Sequence, residues 1–148
     1  IAWIAVALKE ASTPEFKEYA RQALENAQIL ANELLNYWYK LVNWWTENHM
    51  IIIDFSKEEY SGWEIEKTLD KVWISTSKST IPDDPRKPFD PSGLRIWMPA
   101  MTTRGVKGED TKQIASLIHQ AIQNRNDDSK LEEIKKEVIS FCQRFPLP

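Results

Sequence analysis

The 148-residue sequence has one cysteine, four glycines and two histidines. With Cys142 alone, no disulfide closes within the chain and no zinc site can be assembled from thiolates. A single thiol fits a reducing, cytoplasmic compartment. Positive charge is not in excess: 19 Lys and Arg stand against 22 Asp and Glu, for a net charge of -3. No nucleic-acid partner is expected, because releasing phosphate counterions needs a basic patch. Long apolar runs are missing too. The opening, Ile1 to Leu8, is too short to span a bilayer. It has no basic leader and no small-residue cleavage site, so neither a signal peptide nor a membrane partner is expected. The sequence also lacks a glycine-rich phosphate loop, a cluster of metal ligands and a Gly-x-Ser-x-Gly elbow.

What remains is ordinary for a folded domain: 42% hydrophobic and 28% charged residues. A chain this long forms one compact unit and buries roughly 70% of its unfolded surface.

Ile1 to Ala11 reads as the end of a helix. Ser12-Thr13-Pro14-Glu15 is a helix start, with a hydroxyl cap and proline in the first turn. Apolar residues then recur at three and four from Phe16 to Leu35, which predicts a long amphipathic helix. Short strands are expected at Tyr39 to Val42, Met50 to Phe55, Ile74 to Ser77 and Leu94 to Met98. The Met50 run, rich in β-branched residues, suggests burial on both faces. Helices are expected from about Gly62 to Lys71, Thr111 to Asn124 and Lys130 to Arg144. The turn and cap between the last two fall in Asn126-Asp127-Asp128-Ser129. Residues 78–92 hold Pro82, Pro85, Pro88 and Pro91 and read as a loop, functional or disordered. The pattern is α/β: an α+β sandwich with a small sheet covered by helices and preceded by a long helix.

The residue that offers most chemistry is Arg95, in Ser92-Gly93-Leu94-Arg95-Ile96. If Leu94 and Ile96 face the core, Arg95 points to the opposite face of the strand. A guanidinium there either holds a carboxylate through two parallel hydrogen bonds or is a solvated strand arginine. His49 is either a catalyst partnered by a group such as Glu47 or a structural residue at the start of the strand. His119 lies among Leu117, Ile118 and Ala121 and reads as packing or surface. Cys142, beside Phe141, reads as an inert thiol. Lys78 reads as a solvated charge.

Several stretches resemble serine hydroxymethyltransferases. Ala5 to Ala11 followed by Thr13 to Tyr19 is similar to the family's segment after its cofactor-binding domain. Thr46-Glu47-Asn48-His49 resembles its Thr-Asp-Asn-His. Ile81-Pro82, Asp84-Pro85 and Pro88-Phe89 resemble its proline-rich loop. Ser92 to Arg95 and Pro99 to Gly105 resemble its most characteristic C-terminal stretch, and Arg144-Phe145-Pro146 its usual end. The resemblance runs in register over nearly the whole chain. It implies the C-terminal small domain of a fold-type-I pyridoxal 5'-phosphate transferase of one-carbon metabolism. Residues 1–11 would be the end of a helix from a preceding cofactor-binding domain, and residues 12–148 the C-terminal domain.

The implied activity is that of a glycine hydroxymethyltransferase, exchanging serine and tetrahydrofolate for glycine and methylenetetrahydrofolate. Full-length enzymes of the family form homodimers. Arg95 matches the arginine that grips the substrate carboxylate. Ser79 stands where the family has an asparagine beside the folate, and a hydroxyl replaces only part of an amide's hydrogen bonding. No catalytic residue and no metal ligand is expected within these 148 residues. The lysine and phosphate groups that hold the cofactor belong to the preceding domain, so the chain alone is expected to be inactive. A small domain of another enzyme of this fold type, such as an aminotransferase, and a non-catalytic interaction module are the alternatives. The Pro99 to Gly105 stretch speaks against the aminotransferase.

Seven tryptophans are as conspicuous as the shortage of glycine. Trp38, Trp44, Trp45, Trp73 and Trp97 stand where the resembled family carries glycine, Trp3 where it has a small residue, and Trp63 at a variable position. Glycine at all seven would bring the total to eleven, an ordinary content of about 7%. The expectation is that the codon UGA, read as glycine in the source, has been translated as tryptophan. The alternative is that the tryptophans are genuine.

Overall fold

The structure, a computed structural model, describes residues 1–147. Its elements, in order, are α1 (Ala2–Ala11), α2 (Pro14–Asn36), β1 (Met50–Asp54), α3 (Gly62–Lys71), β2 (Ser77–Ser79), β3 (Gly93–Trp97), α4 (Pro99–Thr103), α5 (Glu109–Gln123) and α6 (Asp128–Gln143). It is an α/β chain of the α+β kind, with a three-stranded antiparallel sheet in the order β1-β3-β2.

The helix starts follow the sequence. Thr13 Oγ1 accepts the Phe16 N–H at 3.3 Å, with Pro14 opening α2. Ser61 and Glu64 exchange hydrogen bonds in a capping box that starts α3. Asp127 accepts the Lys130 N–H at 3.0 Å and starts α6. Each such cap contributes about 1 kcal/mol. The apolar stripes then bury Leu30 and Leu34 from α2, Ile65 and Leu69 from α3, and Ile118 and Ile122 from α5. Each such side chain stabilises the fold by roughly 1.5–3 kcal/mol.

Helices cover one face of the sheet. Ile51, Ile53, Leu94 and Ile96 point into that core. The expectation that β1 is buried on both faces is corrected: Met50 and Ile52 are only partly buried, because they share the uncovered face with Arg95.

Three further expectations shift. Tyr39 to Val42 is no strand but a single bridge, Leu41 to Ile53. The strand expected at Ile74 to Ser77 runs instead from Ser77 to Ser79. Residues after Val72 are taken up in closing α3, and the chain reaches β3 only at Ser77. The short helix α4 was not foreseen; Pro99 at its first position allows a turn directly after β3.

The approach of α3 to the sheet requires glycine. A Cβ on Gly62 would lie 2.1 Å from the Gly93 carbonyl oxygen, and one on Gly93 would lie 2.4 Å from that of Ser79. These contacts set the depth at which β3, and therefore Arg95, sits.

Candidate functional site

Arg95 is in the middle of the central strand, paired with Ile52 on one side and Ser77 on the other. Leu94 and Ile96 face the core, so the guanidinium is on the open face, as alternation requires. Its Nε is buried and has no hydrogen-bond partner among the described residues. A buried donor left unpaired costs about 1–3 kcal/mol, and a carboxylate is the acceptor whose shape matches the guanidinium. The guanidinium carbon lies 5.4 Å from the centre of the Trp97 ring, two residues along the same face.

Ser79 pairs with Gly93, two residues from Arg95. It therefore shares the open face, diagonal to Arg95 at roughly 7–8 Å between backbones. Its hydroxyl donates to the neighbouring Thr80 carbonyl at 3.2 Å. The two residues singled out in the sequence thus stand together on one face. Arg95 does not line either of two hollows. One, of about 330 Å³, lies within residues 41–52. The other, of about 280 Å³, is apolar and lies between Trp73, Trp97, Met101 and Cys142.

The proline-rich loop is ordered, and its order is aimed at β3. Asp84 accepts the Ile81 N–H at 3.3 Å, the Arg86 N–H at 3.0 Å, the Ser92 N–H at 3.0 Å and the Ser92 hydroxyl at 2.7 Å. Burial alone would raise the Asp84 pKa, but these donors hold it below the usual carboxylate range. Arg86 donates to the Phe55 carbonyl, the Ser92 hydroxyl and the Glu58 carbonyl, at 3.0, 3.0 and 2.7 Å. Asp84 and Arg86 together fix Ser92, three residues before Arg95. Sequence reasoning missed this latch. An Asp-Pro pair inside a proline-rich loop was its visible trace.

His49 and Glu47 are exposed, and the His49 carbonyl accepts the Met98 N–H at 3.1 Å. Thr46 and Asn48 make the turn before β1: Thr46 donates to the Met50 carbonyl at 2.7 Å, and Asn48 accepts the Met50 N–H at 2.8 Å. Within Pro99 to Gly105, buried Thr102 accepts from Asn26 of α2 at 2.9 Å. Arg104 donates to the Phe145 and Cys142 carbonyls at 2.6 and 2.9 Å, tying α4 to the end of α6. His119 stacks on Tyr37 at 4.1 Å, and its Nδ1 lies 3.0 Å from the Tyr39 hydroxyl. Burial lowers the His119 pKa and pushes the Tyr39 phenol up to about 12.

The family model for serine hydroxymethyltransferase matches residues 1–118, a span that includes Arg95, Ser79 and the whole Asp84 latch. The chain belongs to the serine hydroxymethyltransferase family. It is thereby a member of a transferase family whose enzymes generally depend on pyridoxal phosphate. The residues present do not make a cradle for that cofactor. Lys40, at the end of the open face, is engaged by the Asp54 carboxylate at 2.5 Å. Lys78 lies on the opposite face, 5.3 Å from the Trp63 ring. Among the described residues there is no cluster of metal ligands, and no helix is long and apolar enough to cross a membrane.

Proposed function

We propose that the chain is the C-terminal small domain of a glycine hydroxymethyltransferase and supplies the anchor for the amino-acid carboxylate. The observation that carries this reading is Arg95: a guanidinium on an uncovered sheet face, with a buried Nε that lacks an acceptor. Serine or glycine would present its carboxylate to that fork. Fixing the carboxylate orients the rest of the amino acid, which is how a positioning group accelerates chemistry it does not perform.

Pyridoxal phosphate would be held by residues outside this chain and would supply the electron sink for breaking bonds at the substrate. The chain by itself is therefore inactive, and the intact enzyme works as a homodimer in the cytoplasm. Ser79, on the same face, is positioned beside tetrahydrofolate. Its hydroxyl offers that ligand fewer hydrogen bonds than an amide would.

The test is Arg95→Gln in the intact enzyme. Losing a charge-assisted pair worth about 1.5–3 kcal/mol raises the KM for serine by roughly 10- to 100-fold, with pyridoxal phosphate still bound. An unchanged KM would remove the anchor from the site. In parallel, Ser79→Asn is expected to lower the KM for tetrahydrofolate without altering that for serine.

A further inference from the structure

Trp38, Trp44 and Trp73 have φ values of 68°, 57° and 64°, in the left-handed region. Side chains with a Cβ enter that region at a cost, and glycine enters it freely. Asp83, at φ 54°, is of a type that tolerates it; a bulky aromatic is not.

Two of these tryptophans hold a position with a defined job. At the end of α2, the Trp38 N–H donates to the Leu35 carbonyl at 2.9 Å and the Tyr39 N–H to that of Leu34 at 3.0 Å. At the end of α3, the Trp73 N–H donates to Asp70 at 3.0 Å and the Ile74 N–H to Leu69 at 2.9 Å. Both are Schellman closures, in which the residue just past the cap takes positive φ and is usually glycine. The chain contains its own control. At the end of α4 the same two bonds run from Gly105 to Thr102 at 2.9 Å and from Val106 to Met101 at 3.1 Å, and there the residue is glycine, at φ 92°.

The four glycines tell the same story. Gly105 and Gly108 have positive φ, and Gly62 and Gly93 sit where a Cβ would strike backbone. Glycine in this chain is thus confined to places that need it, and three more such places carry indole. Those indoles are largely exposed, at 94% for Trp38, 74% for Trp44 and 65% for Trp73, so little packing offsets the strain; Trp73 alone borders the apolar hollow, with the Lys135 ammonium 5.2 Å from its ring.

We infer that positions 38, 44 and 73 are glycine in the polypeptide its cell makes. A UGA codon, one base from a glycine codon and one base from that of tryptophan, read as glycine in the source, would account for the tryptophans. The inference rests on backbone geometry and holds whatever the chain's function.

The test has two readouts. Mass spectrometry of the protein from its source should give peptides lighter by the Trp-to-Gly difference at all three positions. Tryptophan in those peptides, or UGG codons in the gene, would overturn the inference. In the chain expressed with tryptophan, Trp38→Gly and Trp73→Gly should each raise Tm by roughly 3 °C or more. Trp63→Gly, in the first turn of α3 and not among the residues with positive φ, should lower it. A fall in Tm for both closure variants would contradict the strain on which the inference stands.

Discussion

The Arg95 guanidinium lies 5.4 Å from the centre of the Trp97 indole, on the one sheet face that helices leave open. The indole holds the cation from one side, a contact worth about 0.5–1 kcal/mol at an exposed site. An indole at this place is expected to crowd a carboxylate that approaches the guanidinium.

Trp97→Gly should therefore separate stability from binding. Losing the cation–π contact and placing glycine inside a strand should cost roughly 1–2 kcal/mol, seen as a lower Tm. Binding of glycine to the intact enzyme should strengthen. Unchanged or weaker binding would show that the indole does not obstruct Arg95.

Asp84 should make the domain sensitive to acid. Its donors lower its pKa in the folded chain, so its contribution is complete above the unfolded value of about 3.9 and is lost as pH falls through the folded value. Asp54, lowered by Lys40 and Ser56 against the effect of burial, acts in the same direction. Denaturant titrations between about pH 5 and pH 3 should show stability falling, with a shallower fall in Asp84→Asn. At neutral pH that variant should lose roughly 2–3 kcal/mol.

His119 should act at milder pH. Burial lowers its folded pKa, so the folded state resists protonation. Stability is complete above the unfolded value of about 6.5 and declines as pH drops below it. His119→Gln should remove that part of the pH dependence. If the slope just below pH 6.5 survives, the Tyr37–His119–Tyr39 cluster is not its source.

Much of this was legible in the sequence, where local rules decide structure. The helix start in Ser12-Thr13-Pro14-Glu15, a turn and cap within Asn126 to Ser129 and the span of α3 follow from short-range hydrogen bonding and a 3.6-residue period. Arg95 on the open face followed from strand alternation. What did not follow depends on distant partners. β2 begins where β3 is within reach, and a period of two in a short run does not say where that is. The Asp84 latch joins residues 55, 58, 84, 86 and 92 through loop backbone, which carries no periodicity. The excess of tryptophan was visible as composition, but only the φ angles distinguish Trp38, Trp44 and Trp73 from Trp3, Trp45, Trp63 and Trp97.

The carboxylate anchor is tested most directly by comparing glycine with glycinamide as ligands of the intact enzyme and of its Arg95→Gln variant, by calorimetric titration. The two ligands differ only in the group that the guanidinium would grip. If Arg95 is the anchor, the intact enzyme prefers glycine by roughly 10-fold or more and the variant loses that preference. A preference that persists unchanged without Arg95 would place the anchor elsewhere and contradict the account.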